Sequence, residues 1–131
     1  MRVKINSIAY HLPLNEEGLE TLTDENPEWD IDKITEKTGI FKRFISSPNE
    51  TATDLAYVAA TKLIKSLDAP NNIDLLILVT QSPDYTIPTS ACILQDRLNL
   101  SKNCMAFDVN LGCSGFVYAL SVAGSLIDSG V

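Results

Sequence analysis

The stretch Phe107-Asp-Val-Asn-Leu-Gly-Cys-Ser-Gly-Phe-Val-Tyr-Ala-Leu120 decides the fold of this sequence. Its start predicts a short strand at Ala106–Asn110, and the residues from Cys113 to about Asp128 predict a helix. One face of that helix is apolar and comprises Phe116, Leu120, Ala123 and Ile127. Glycines at 112 and 115 allow a sharp turn between the two elements and a close approach of a substrate. The stretch therefore reads as strand, turn and helix, with a cysteine at the turn.

Upstream of this stretch, extended and helical patterns alternate along the chain. The apolar run Ile73–Thr80, for example, is typical of a strand buried on both faces of a parallel sheet. The predicted elements are strands at Val3–Tyr10, Ile40–Ile45 and Ile73–Thr80, and helices at Asn15–Leu22, Asp30–Lys37, Ala52–Leu67 and Thr89–Leu98. This alternation predicts an α/β fold with a mostly parallel sheet and helices packed on it.

Length and composition narrow the class of protein. The 131 residues fit one domain spanning 1–131, and the net charge of −7 argues against a nucleic-acid binder. The longest nearly unbroken apolar run, Ile73–Val79, is interrupted by Asp74 and is far shorter than the ~20 residues of a membrane span. The first ten residues hold no apolar signal core, and three cysteines are too few for a disulfide scaffold. We therefore expect a cytoplasmic protein with reduced thiols and no membrane or nucleic-acid partner.

Cys113 is the strongest candidate for chemistry. A cysteine at a helix N-terminus meets the positive end of the helix dipole and unpaired N–H groups, which favour the thiolate over the thiol. The same N–H groups can stabilise an oxyanion, as in a nucleophile elbow with cysteine in place of serine. The alternative is a small, inert packing residue at a strand–helix junction.

The histidine and the other two cysteines provide no further candidate for catalysis or metal binding. His11, the single histidine, stands just before Pro13 and is a poor candidate base for Cys113. Cys92 and Cys104 have no metal-ligand spacing with Cys113 or with a histidine, so we expect no metal site. No phosphate-binding glycine loop is present, and we expect no bound cofactor.

From Asp108 to Leu120 the sequence resembles the nucleophile segment of beta-ketoacyl-acyl-carrier-protein synthase III, in the thiolase-like superfamily of condensing enzymes. Further segments agree in order and spacing, so that the resemblance covers nearly the whole chain. These segments are Tyr10-His-Leu-Pro13, Glu28-Trp29, Lys37-Thr-Gly-Ile40, Pro48-Asn-Glu-Thr51, Ile87-Pro-Thr-Ser-Ala-Cys92 and Cys104-Met-Ala-Phe-Asp108. The resemblance implies a thiolase-like N-terminal half.

The resemblance also implies a role for each matching residue. Cys113 would accept an acyl group from acyl-coenzyme A, a substrate rather than a cofactor, and its N–H would form part of the oxyanion hole. A malonyl group on acyl carrier protein would then lose CO2 and condense with the acyl group, as in fatty acid biosynthesis. Trp29 would stack on the adenine of coenzyme A, and Ile87 would reach across a homodimer to bound the partner's acyl pocket. The alternative for Trp29 is a semi-exposed surface tryptophan without a ligand. The alternative for Ile87 is a hydrophobic loop residue without a role in the pocket.

Two departures from the family pattern stand out. Lys37 occupies the place of an arginine that helps to grip coenzyme A, and lysine stacks poorly. The stretch Trp29–Thr38 is also several residues longer than in typical members. The catalytic histidine and asparagine of the family belong to a C-terminal half, so we expect the chain to be an N-terminal portion that is inactive alone in condensation. The competing hypothesis is a non-enzymatic dimerising or acyl-binding half-domain.

Overall fold

A computed structural model describes residues 3–67 and 72–131 of the chain. The strands are β1 (Asn15–Gly18), β2 (Lys42–Ile45), β3 (Leu75–Val79) and β4 (Met105–Val109), and the helices are α1 (Leu19–Glu25), α2 (Ile31–Thr38), α3 (Ala52–Lys65), α4 (Ser90–Arg97) and α5 (Gly115–Ser129). The chain divides into two compact units, a larger one of Met1–His11 with Thr51–Val131 and a smaller one of Leu12–Glu50. The single domain expected over 1–131 stays a prediction.

Two parallel strands form the centre of the larger unit. β3 and β4 pair from Leu75 opposite Met105 to Val79 opposite Val109, which confirms the predicted parallel sheet. The N–H of Thr80 extends this ladder by donating to the carbonyl of Val109 at 3.2 Å. Helix α4 packs on the two strands and, together with the segment that follows it, supplies the buried apolar residues Ala91, Leu94, Leu100 and Cys104.

Helix α3 begins at a capping box. The hydroxyl of Thr51 accepts from the N–H of Asp54, and the carboxylate of Asp54 accepts from the N–H of Thr51 at 3.0 Å. The Asp54 carboxylate also pairs with Arg97 of α4 at 2.8 Å. The Thr51 N–H first, and then the Arg97 side chain, lower the pKa of Asp54 below its ordinary value. The helix is therefore stabilised at its start both locally and by α4.

The smaller unit contains an antiparallel pair of strands that the sequence pattern did not predict. β1 pairs with β2 from Asn15 opposite Ile45 to Gly18 opposite Lys42, and Glu17 lies directly opposite Arg43, with which it forms an ion pair. The helix predicted at 15–22 is therefore wrong over its first four residues, because cross-strand pairing takes up their backbone groups. The strand predicted at 40–45 is confirmed as β2.

Helix α2 follows the boundaries that its sequence indicates. Asp30 caps its start by accepting from the N–H of Lys33 at 3.1 Å. Gly39 ends it with φ at +68°, a left-handed conformation that glycine adopts without strain. The short helix predicted at 30–37 is confirmed, shifted by one residue.

One predicted strand does not form. The residues from Val3 to Tyr10 alternate in polarity, yet they pair with no strand among the described residues. Most of their side chains are exposed, including Ile5 and Ile8. A strand needs a neighbour to pair its N–H and C=O groups, and alternation alone does not supply one. The prediction for 3–10 is therefore wrong in this structure.

Candidate active site

The turn between β4 and α5 presents the cysteine that the sequence singles out. After β4, the N–H of Leu111 donates to the carbonyl of Val109, and the N–H of Gly115 donates to that of Gly112, both at 2.9 Å. Cys113 is the second residue of this turn, and its side chain is exposed. Helix α5 begins at Gly115, two residues later than predicted, because Cys113 and Ser114 belong to the turn. The predicted order of strand, turn and helix is confirmed.

The two glycines of the turn are needed for space rather than for an unusual backbone angle. Neither is among the described glycines with positive φ. A Cβ atom at Gly115 would lie 2.5 Å from Cγ1 of Val79, and one at Gly112 would lie 2.6 Å from Oε1 of Gln81. The end of β3 thus packs directly against the turn, and any larger residue at 115 would push α5 away from the sheet.

The Cys113 thiol and the turn's N–H groups are available to a ligand. Among the described residues, no group forms a hydrogen bond with the Cys113 sulfur, and the N–H groups of Cys113 and Ser114 donate to no protein acceptor. These donors stand at the start of a 15-residue helix. An exposed thiol beside open N–H donors suits nucleophilic attack on a carbonyl whose oxygen becomes negative.

The other two cysteines occupy different surroundings. Cys92 is exposed on α4, with its sulfur 3.4 Å from Oγ1 of Thr89 and 3.7 Å from the carbonyl of Ala106. Cys104 is buried, and burial, with a further contribution from the Asp74 charge, raises the pKa of its thiol. Within residues 3–67 and 72–131, no cluster of His, Cys, Asp and Glu could hold a metal ion.

Trp29 and Lys37 both lie in the smaller unit, but at opposite ends of α2. Trp29 precedes the helix, is 48% exposed and lines an open cavity of about 350 Å³ with Leu19 and Ile31. Lys37 is exposed in the last turn of α2. From Ile31 to Lys37 the helix rises about 9 Å, and the binding roles of Trp29 and Lys37 stay predictions.

Ile87 lies on the loop from Thr80 to Thr89, between β3 and α4. Its side chain is 87% exposed, and its peptide bond to Pro88 is cis. The end of this loop is held by a residue whose role the sequence did not reveal. The carboxylate of Asp108 in β4 accepts from the N–H groups of Ser90 and Ala91, at 2.9 and 2.6 Å. A carboxylate inside an otherwise apolar strand was the available signal.

The apolar face predicted for α5 lines a groove against β3. Its cavity of about 280 Å³ is bounded by Leu75, Ile77, Val79, Phe116, Ala119, Leu120 and Ala123. Phe116 is nevertheless 63% exposed, as are large parts of Val117, Tyr118 and Ile127. The described residues thus cover this helix only in part. No helix among them is long and apolar enough to cross a membrane.

Comparison with known proteins agrees with the resemblance drawn from the sequence. Residues 107–131, which include the Cys113 turn, match the family model described as 3-Oxoacyl-[acyl-carrier-protein (ACP)] synthase III. The whole chain is 40% identical, over 136 aligned residues, to the beta-ketoacyl-[acyl-carrier-protein] synthase III of Campylobacter jejuni and covers 40% of that protein.

Solved structures give the same relationship. A crystal structure of a 3-oxoacyl-(acyl-carrier-protein) synthase III matches 96% of this chain and 38% of its own, with a TM-score of 0.86 and 49% sequence identity. The synthase III of Aquifex aeolicus matches 93% of this chain and 39% of its own, with a TM-score of 0.82 and 37% identity. The chain spans about two fifths of the length of these relatives. In sequence and in fold, the chain is therefore similar to about two fifths of a beta-ketoacyl-[acyl-carrier-protein] synthase III.

Proposed function

We propose that this chain carries the acyl-accepting cysteine of a synthase III-type condensing enzyme of fatty acid or related lipid biosynthesis. The observation that carries the proposal is the β4–α5 turn, where the exposed Cys113 thiol stands beside the open N–H groups of Cys113 and Ser114. The names of the related proteins support the same reaction class.

In the first half of the proposed reaction, Cys113 becomes acylated. Its sulfur attacks the carbonyl carbon of an acyl-coenzyme A thioester, and the carbonyl oxygen becomes an oxyanion facing the turn's N–H donors. The carbon–sulfur bond to coenzyme A then breaks. Coenzyme A leaves as a thiol with the proton that Cys113 gives up, and an acyl-Cys113 thioester remains.

In the second half, a malonyl group on acyl carrier protein reacts with the acyl-Cys113 thioester. The bond to the malonyl carboxylate breaks with release of CO2, and the electron pair left on carbon attacks the acyl carbonyl. The Cys113 thiolate leaves and takes up a proton from solvent, and a 3-oxoacyl group remains on the carrier protein. The resemblance assigns the groups that promote this step to a histidine and an asparagine outside this chain.

We further propose that Trp29, Lys37 and Ile87 serve substrate binding. Trp29 offers a half-exposed ring beside an open cavity, Lys37 a charge for a phosphate of coenzyme A, and Ile87 an exposed apolar side chain. A homodimer is proposed as well, because large apolar surfaces of α5 are exposed and such patches favour association. A clean monomer in sedimentation at micromolar concentration contradicts it. Acyl-coenzyme A and free thiols are in keeping with a cytoplasmic location.

The acylation half-reaction is testable with this chain. Incubation with acetyl-coenzyme A, followed by intact mass and peptide mapping, is expected to show one acetyl group on Cys113. The Cys113→Ser variant should lose the adduct, since a serine hydroxyl is a far weaker nucleophile than a thiol at neutral pH. The Cys92→Ser variant is the matched control, because it removes another exposed thiol and should keep the adduct.

A folded chain without an adduct on Cys113 contradicts the proposed function. Circular dichroism of the same sample establishes folding. An adduct that follows Cys92 instead would favour the inert-packing interpretation of Cys113. Binding of acyl-coenzyme A without any covalent adduct would favour the non-enzymatic acyl-binding half-domain.

A further inference from the structure

Both ends of the Ile87 loop are fastened to the segment that leads into the Cys113 turn. At its start, Thr80 donates to the carbonyl of Val109, and the side chain of Gln81 packs against Gly112. At its end, the two N–H groups that open α4 donate to the carboxylate of Asp108. Residues 108–112 therefore contact both ends of the Ile87 loop and continue directly into the turn that holds Cys113.

The middle of the loop is held by the same connection. Ser90 is completely buried, and its hydroxyl accepts from the N–H of Asp84 at 3.1 Å. The carboxylate of Asp84 in turn accepts from the hydroxyl of Thr51 at 2.8 Å. A continuous set of hydrogen bonds thus runs from Asp108 through Ser90 to Asp84, three residues before Ile87.

Among the side chains that hold the Ile87 loop, Asp108 makes the two hydrogen bonds that fix the start of α4. Thr89, the residue in the capping position of α4, makes no side-chain capping bond, and the Asp108 carboxylate takes over that function from a different element. Its two oxygens each accept one N–H, and bonds from N–H groups to a charged acceptor are stronger than neutral ones. Loss of the carboxylate would leave the N–H donors of two completely buried residues unpaired and release the loop end from β4.

We propose that Asp108 is a positioning residue that holds the Ile87 loop in register with the Cys113 turn and thereby sets which acyl groups are accepted. This inference rests on the proposed function and the proposed homodimer, since Ile87 is taken to bound the acyl pocket of the partner subunit. Asp108 touches no reacting atom and acts through Ser90, Ala91 and the loop. A wall residue fixes chain length only when its backbone is fixed, because apolar selectivity comes from the space left for each methylene.

The test compares two variants of Asp108 with a control. Asp108→Asn keeps the shape but leaves a single acceptor oxygen, and Asp108→Ala removes both. Asp96→Asn is the matched control, because it removes a carboxylate from the far end of α4 whose exposed partner is Lys102. The first readout is the ratio of Cys113 acylation rates with acetyl-, butyryl- and hexanoyl-coenzyme A.

The expected result is a graded loss of selectivity. An apolar wall discriminates by about tenfold or more per methylene, and neighbouring probes differ by two methylenes. We expect Asp108→Asn to reduce the ratio of acylation rates between neighbouring probes by about fivefold. Asp108→Ala should reduce it further, and Asp96→Asn should leave it unchanged. A merely structural role would instead lower all three rates together in proportion to the unfolded fraction.

Amide hydrogen exchange is the second readout and does not depend on acylation. Exchange at Ser90 and Ala91 should accelerate in both Asp108 variants, while that of central α3 amides stays as in the wild type. If neither Asp108 variant folds, Ser90→Ala serves in their place: it frees the Asp84 N–H alone and should shift the selectivity ratio in the same direction, by less.

Three results would overturn the inference. If the wild type is acylated but the Asp108 variants keep its selectivity ratio, the inference is wrong and the proposed function stands. Unchanged exchange at Ser90 and Ala91 shows that Asp108 does not hold the loop end. A wild type that takes up no acyl group removes the proposed function and this inference together.

Discussion

Replacement of Gly115 by alanine tests how tightly the Cys113 turn is packed. Gly115 is buried at the first position of α5, directly against β3. The added Cβ would lie 2.5 Å from Cγ1 of Val79 and 3.1 Å from Cβ of Leu111. Carbon atoms pack best at about 3.5–4.0 Å, so the helix start must move by about 1 Å or Val79 must leave its position. Val79 belongs to a strand paired along its length, which makes the second response costly.

The expected cost follows from two opposing effects. Overpacking of a buried site costs about 1–3 kcal/mol. Alanine restricts the unfolded chain more than glycine does, which returns about 0.4–1 kcal/mol. The net expectation for Gly115→Ala is a loss of about 1–2 kcal/mol in the free energy of unfolding. With a urea dependence of about 2 kcal/mol per molar, the unfolding midpoint falls by about 0.5–1 M.

Urea unfolding followed by circular dichroism measures this loss, with two glycine controls. Gly112→Ala meets only the flexible end of Gln81, and Gly18→Ala meets nothing within 4 Å, so both should stay within about 0.5 kcal/mol of the wild type. In a Val79→Ala background, Gly115→Ala should cost less, since the clashing methyl is gone. Two results would refute the packing argument. The first is a Gly115→Ala chain that is as stable as the wild type, and the second is a loss of stability that is the same with and without Val79→Ala.

Two further predictions concern pH. The lowered pKa of Asp54, caused first by the Thr51 N–H and then by Arg97, means that its stabilisation is present above the unfolded value of about 4 and is lost as pH falls through the folded value. Asp54→Asn should therefore be less stable than the wild type at pH 7, and urea unfolding should show the difference shrinking towards pH 3. Burial and then Asp74 raise the pKa of Cys104, so the neutral thiol favours the folded state and stability should fall as pH rises above about 8.5. A Cys104→Ala chain with the same alkaline loss would contradict this.

Features fixed by neighbours in sequence could be predicted without the structure. The capping box of α3 lies within Thr51–Asp54, and the glycine that ends α2 acts through its own backbone. The parallel pairing of β3 with β4 was predictable because the helix between apolar strands requires a crossover. Each of these depends on a few adjacent residues or on a simple alternation.

Features fixed by distant partners could not be predicted in this way. The residues of β1 are polar and read as a helix start, and the backbone pairing with β2, accompanied by ion pairs to Lys42 and Arg43, explains why they are extended. The segment Val3–Tyr10 shows the converse. Its alternating polarity predicts a strand, but no described strand pairs with it. Strand formation is decided by a partner, which a local pattern does not contain.

The residues of the candidate site also differ in whether neighbouring or distant residues determine their roles. Cys113 was identifiable from its turn, its helix and its glycines, all within ten residues. The role of Asp108 was not, because its two bonds reach Ser90 and Ala91, separated from it by 18 and 17 residues. Trp29 and Lys37 were predicted as binding residues from resemblance alone, and the helix predicted at 30–37 already separated them along the chain.

The most direct test of the central claim is site-resolved acylation of the two exposed thiols in one molecule. Cys92 and Cys113 are both exposed, but only Cys113 stands in a turn with open N–H donors. After brief exposure of the folded chain to acetyl-coenzyme A, peptide mapping is predicted to find the thioester on Cys113 and not on Cys92. Equal modification of both thiols, or modification of Cys92 alone, would contradict the assignment of Cys113 as the acyl-accepting nucleophile.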